Sequence, residues 1–156
     1  MDVVLVEPEI PPNTGNIART CAAVGARLHL VEPLGFQWLD PRVKRAGVDY
    51  WHLVEVHRHA TWGALPEQLR RPDTLHLFTS RGGQRFDQAQ YGDTVVLVFG
   101  RESTGLPDTL LAAHPDRWRM IPMRPGLRSL NLSNAAALAV YEVMRQRGYA
   151  GLTSGG

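Results

Sequence analysis

Cysteine is almost absent. Cys21 is the single one in 156 residues, so no internal disulfide can form and no cysteine-based zinc or redox spacing exists. That usage points to a reducing cytosol. Lysine is nearly missing as well: Lys44 is the only one among 17 basic side chains, which leaves guanidinium groups, suited to bidentate phosphate contacts, to carry the rest. A GC-rich coding sequence, which also enriches Ala, Gly and Pro, accounts for that bias equally well. Net charge is small, +2 with a pI near 9.0, and does not by itself identify a nucleic-acid binder. Long apolar runs are missing: "MDVVLVEPEIPPNTG" has no basic start and is too short a run for a signal peptide, and no later stretch reaches membrane-spanning length. The expectation is a soluble, cytoplasmic protein that does not contact membranes. The six histidines form no His-Glu-x-x-His pattern, so no metal is expected.

What the chain does have is 44% hydrophobic content, enough at this length for one domain over residues 1–156 with a real core. From about residue 150 the Gly- and Ser-rich end reads as a frayed tail. Apolar runs at Val3, Leu28, Leu53, Leu75, Val95 and Trp118 read as strands. Helical patterns lie between them: "NTGNIARTCAAVG" with Asn13 as N-cap and Gly25 as terminator, "DPRVKRAG" capped by Asp40, "TWGALPEQLRR", "LPDTLLAAH", and the final "AAALAVYEVMRQRG". Alternating strands and helices predict an α/β fold, a mostly parallel sheet with helices on both faces. Ligands of such sheets bind beyond the carboxyl ends of the strands, so "EPEIPPNTGN", "TSRGGQRF", "GRESTGLP" and "PMRPGLRSLNLSN" are expected to gather at one edge.

"FGRESTGLP" places Gly100 and Gly105 where a phosphate loop has its two glycines, but Leu106 and Pro107 follow where that loop needs Lys and Ser or Thr. No G-x-G-x-x-G is present either. What remains is a tight loop with one carboxylate, Glu102. In "PPNTGNIARTC", Gly15 permits close backbone approach, and Asn16 and Arg19 share a helix face. "RSLNLSN" offers Arg128, Ser129, Asn131, Ser133 and Asn134 at the mouth of an apolar helix, more polar groups than one cap requires. No Ser-His-Asp or Cys-His order is visible, and Glu102 has no evident carboxylate partner.

"NTGNIART", "FGRESTGLP" and "IPMRPGLRSLNLSN" together resemble the three motifs of the SPOUT-class RNA methyltransferases. "EPEIPPNTGNI", "EPLGF" and "RAGVDYW" look like the minimal tRNA wobble-nucleotide ribose 2′-O-methyltransferases, the TrmL type. The likeness spans almost the whole chain; Arg101 departs from the proline or small residue expected there. The resemblance implies a C-terminal deep trefoil knot, which the sequence pattern alone would exclude, S-adenosylmethionine as cofactor, tRNA (anticodon loop) as partner, and a homodimer whose active site draws on both chains. It implies catalytic roles for Asn13, Arg19, Glu102, Ser129 and Asn131, and cofactor contacts at Phe78, Thr79, Gly100, Glu102, Gly105, Ile121, Pro122, Met123, Ser129 and Leu130. RNA contacts are expected from Arg42, Lys44, Arg45, Arg124 and Arg128, with Tyr141, Trp38 or Trp51 stacking on bases. Two rival readings stay open: action on another tRNA position or on rRNA, and a non-catalytic RNA-binding protein of the same fold.

Overall fold

In the computed structural model, which describes residues 1–153, five of the six apolar runs become strands of one sheet, and two edge strands that the pattern did not mark complete it. The strands are β1 (Asp2–Val6), β2 (Arg27–Val31), β3 (Val56–His59), β4 (Leu75–Phe78), β5 (Gln84–Arg85), β6 (Val96–Phe99) and β7 (Trp118–Met120), in the order β3-β2-β1-β6-β4-β7-β5. Every pairing is parallel. The central strands β1, β4 and β6 are buried at every position because alternate side chains feed two cores. Val3, Leu5, Leu28, Leu30, Leu97 and Phe99 face one way; Val4, Val6, Leu75, Leu77, Val96 and Val98 face the other.

Helices cover both faces. On the first lie α1 (Pro11–Val24) and α4 (Leu132–Gln146), contributing Ile17, Ala18 and Cys21 from one and Ala136, Ala139, Val140 and Val143 from the other. On the second lies α3 (Asp108–Ala113), through Leu110 and Leu111. The remaining helix, α2 (Pro41–Gly47), packs on α1. The approach is close because residue 15 is glycine; a Cβ there would stand 2.4 Å from the carbonyl oxygen of Val43. The close backbone contact expected at Gly15 is thus made by α2.

Three local expectations need correction. Asn13 is not the cap of α1: the helix starts at Pro11, with Ile10 in the cap position and no side-chain cap. Pro11 and Pro12 carry no N–H, so two of the donors a cap would serve do not exist. The run from Leu53 is not the third strand. Residues 48–53 wind into a 3₁₀ segment, and the edge strand β3 begins where Val56 pairs with Leu28 of β2. "TWGALPEQLRR" is not a helix. Pro66 holds the preceding Leu65 extended (φ −59°, ψ 142°), which leaves two single 3₁₀ turns, Trp62–Ala64 and Glu67–Leu69.

Two buried polar groups need their partners. Burial alone would raise the Asp2 carboxyl, but hydrogen bonds from His29 (2.9 Å) and Arg27 (2.7 and 2.9 Å) outweigh it and hold the pKa at about 2. Arg119 is 5% exposed with its Nε donating to Nδ1 of His76 at 3.0 Å. Burial, then the nearby Arg119 and Arg117 charges, push the His76 pKa down to about 3, so it stays the neutral acceptor that Arg119 requires. At the C-terminus, Leu152 N donates to Tyr149 O at 3.0 Å; the rest of the tail expected to fray, from residue 154, lies outside the described residues. Among the described residues no helix is long and apolar enough to cross a membrane, and no group of three or more His, Cys, Asp or Glu is placed to hold a metal ion.

Candidate active site

Because the strands run parallel, their carboxyl ends share one edge, and all four loops singled out in the sequence meet there. The connection is made by side chains. Glu102, in the loop after β6, accepts from the backbone N–H of Glu9 (2.8 Å) and Ile10 (3.1 Å) and from Asn13 Nδ2 (3.3 Å). A carboxylate at the start of α1 also meets the favourable end of the helix dipole. Asn13 Oδ1 in turn accepts from Asn131 Nδ2 at 3.0 Å. Asn131 Oδ1 faces the other way and accepts from Ser133 N (2.9 Å) and Asn134 N (3.2 Å), so Asn131 is the cap of α4. Each amide orientation is forced by its neighbour, since a carboxylate can only accept. The chain Asn131–Asn13–Glu102 therefore ties three segments together, its two links spanning 118 and 89 residues of sequence.

The loop bearing Glu102 is shaped by its glycines. Arg101 and Gly105 exchange backbone hydrogen bonds of 3.2 and 2.9 Å, Gly105 sits at φ +75°, and a Cβ on Gly100 would fall 2.1 Å from the backbone of Gly105. Arg101, the departure from the expected motif, does not disturb this closure because its guanidinium turns out to an ion pair with Glu7. The fourth loop is joined by an ion pair of Arg81 with Asp108, 2.6 Å.

Between the loops lies a cleft of about 430 Å³, within the range of small-molecule sites. Its lining includes Asn13, Phe78, Thr79, Gly100, Glu102, Gly105, Ile121, Met123, Arg128, Ser129, Leu130 and Asn131. Phe78 and Phe99, stacked at 4.7 Å, form an apolar floor with Ile121 and Ala135. Pro122 is exposed and lies outside the lining, between two residues that belong to it. Sequence reasoning assigned no contact to Ile10, Arg81, Phe99, Arg119, Leu132 or Ala135; Ile10, Arg81 and Leu132 fell within the loops singled out and Phe99 ended the strongest strand, whereas Arg119 and Ala135 carried no signal.

Arg19 is not part of this cleft. It is exposed farther along α1, its guanidinium 5.0 Å from the ring centroid of Tyr50. Arg42, Lys44 and Arg45 stand on α2, where Arg42 pairs with Asp40 at 2.8 Å, and Tyr141 is exposed on α4. Arg124 is exposed in the segment before α4.

Residues 1–141 match the model of the SpoU rRNA Methylase family. The chain belongs to that family. The SpoU-family chain is 49% identical over 152 residues to a tRNA (cytidine(34)-2′-O)-methyltransferase of Aeromonas hydrophila, with 97% of each chain covered. A solved structure described under the words "Structural insights into the 2-OH methylation of C/U34 on tRNA" superposes with a TM-score of 0.87 at 42% identity, covering 95% of this chain and 96% of that one. The SpoU methyltransferase AviRb from Streptomyces viridochromogenes, solved in complex with the cofactor AdoMet, superposes with a TM-score of 0.84 at 26% identity, covering 94% and 57%.

Proposed function

We propose that this SpoU-family chain is an S-adenosylmethionine-dependent tRNA 2′-O-methyltransferase acting on the ribose of the wobble nucleotide, position 34, a cytidine or a uridine derivative. The observation that carries the proposal is near-half identity along almost the entire length to a relative named for that reaction, with Asn13, Glu102 and Asn131, one from each motif, joined at one cleft. The cleft suits the cofactor. Phe78, Phe99, Ile121 and Ala135 offer an apolar bed for a nucleoside base, and the segments around Ile121–Met123 and Ser129–Leu130 offer backbone groups beside it. When bound, S-adenosylmethionine supplies an electrophilic methyl group, and no metal is required for that chemistry.

The chain's task is then alignment of a ribose hydroxyl, which supplies up to ~7–11 kcal/mol for well-oriented reactants. Glu102 is an unsuitable base because its oxygens already serve three N–H donors. Its role is to hold the segment before α1 against the cofactor loop. Ser129 and Asn131 face the incoming ribose. Arg19, a guanidinium that offers only donors, binds the flanking phosphate and stabilises the developing alkoxide while the proton passes to phosphate or solvent. Since Arg19 stands outside the cleft of its own chain, the proposal includes a homodimer in which a second copy presents its Arg19 across the interface. It also includes the threading of the segment before α4 as a knot and a cytoplasmic location. Mapping 2′-O-methylation in tRNA from a strain deleted for this gene tests the function: loss at nucleotide 34 alone is expected, restored by the intact gene and not by Arg19→Ala. Loss elsewhere in tRNA or in rRNA overturns it.

A further inference from the structure

Beside α2, away from the cleft, Trp38 and Trp51 meet with ring centroids 5.6 Å apart and planes at 87°. They wall a recess of about 540 Å³ whose remaining lining is Val43, Val54, Val56 and Lys44. Trp51 is fixed in place: its Nε1 donates to the Lys44 carbonyl at 3.1 Å, and it lies over Gly47, where a Cβ would stand 2.4 Å from the indole. The guanidinium of Arg58 stands 5.9 Å from the Trp38 ring centroid, itself paired with Glu32. Lys44 lines the recess and Arg45 follows it on α2. Arg42 is neutralised by Asp40, whereas Lys44 and Arg45 are exposed and have no ion-pair partner among the described residues.

We propose that this recess is a second RNA subsite that receives one unstacked nucleobase, with Lys44 and Arg45 on the phosphates beside it. Two rigid π walls, an apolar bed and the cations of Lys44 and Arg45 are the complement of a nucleotide, whose base is flat and aromatic and whose charge lies outside it. An apolar peptide would use the walls and leave the cations idle. The recess offers no side-chain acceptor to a base edge, so it reads presence of a base more than its identity. This deepens the reading of the chain as a tRNA enzyme and rests on it.

The test is binding of a labelled anticodon stem-loop to the intact protein, its Trp38→Leu and Trp51→Leu variants, and the double variant Lys44→Ala/Arg45→Ala. Calorimetry with S-adenosylmethionine and melting curves verify the cleft and the fold in each. A stacking platform predicts about 5- to 100-fold weaker RNA binding for each Trp→Leu change, with an unaltered salt slope and recovery in Trp→Phe. The double variant, exposed enough to leave the fold intact, lowers the log–log salt slope by about 2. RNA affinity within about twofold of the parent in all three variants overturns the proposal, as does a loss of self-association in the Trp variants at unchanged RNA affinity. Methyl transfer by the parent protein separates the two readings. If it methylates tRNA and the variants bind normally, only the subsite fails; if it methylates no tRNA yet binds single-stranded RNA through Trp38 and Trp51, only the assigned reaction fails.

Discussion

Glu102 carries three donors on one carboxylate, and an amide cannot replace it without turning two N–H groups toward the donors. Glu102→Gln is therefore expected to cost about 1–3 kcal/mol for polar groups left unpaired, read as a lowered melting temperature together with weaker S-adenosylmethionine binding by calorimetry. His76 illustrates the same logic in the core. Held neutral down to about pH 3, it takes up a proton in the unfolded chain from about pH 6.5 downward, so folding stability falls with pH through that window. His76→Leu should destabilise at pH 7, because Arg119 Nε loses its acceptor, yet flatten the pH dependence of the denaturation midpoint between pH 6.5 and 3. An unchanged slope would show that another group sets the acid limb. Asp2 adds its own loss nearer its folded pKa of about 2, from the usual carboxylate range downward.

At the scale of elements, the helix starts show why chemistry and capping are hard to separate in sequence. Asn13 and Asn131 both fit the residue type of a cap. Asn131 is one, but Asn13 is not, because Pro11 and Pro12 shift the start of α1 and free Asn13 to bridge Asn131 and Glu102. Expected consequences differ: Asn131→Ala loses both the cap and the bridge, about 1 kcal/mol for the cap alone, whereas Asn13→Ala leaves α1 intact and loosens the cleft. Circular dichroism melts set beside cofactor affinity distinguish them. The packing of α2 on α1 gives a sharper case. Gly15→Ala would drive a methyl against the Val43 carbonyl, an overpacking cost of about 1–3 kcal/mol, visible as a drop in melting temperature with the cleft residues untouched.

For the whole molecule the question is where Arg19 acts. A single chain leaves it on the outside of α1 beside Tyr50, so the proposed reaction requires a second copy. If it is supplied across a two-fold interface, mixing inactive Arg19→Ala and Glu102→Ala proteins should regenerate about a quarter of the parental activity, since half the dimers would be mixed and each would hold one intact site. No recovery, with subunit exchange verified by sedimentation of tagged chains, would place Arg19 in the service of its own chain. Arg19→Lys retaining full activity would likewise rule out bidentate phosphate positioning.

Much of this was legible beforehand. Run-like apolar strands told of a parallel sheet with two covered faces, and parallel strands told which loops must meet, because all their carboxyl ends share an edge. Glycines and polar groups in those loops then marked the cleft. Local pattern failed in two ways: a neighbour in space set the outcome where Val56 joins an edge strand by register with Leu28, and apolar spacing outweighed a local breaker where Pro66 cuts the "TWGALPEQLRR" segment. The sequence by itself settled a mostly parallel sheet covered on both faces, its central strands and the loops that gather. Only the tertiary structure decided that Asn131, Asn13 and Glu102 form one hydrogen-bonded chain while Arg19 stands apart, because contacts between segments a hundred residues distant have no period along the chain to betray them.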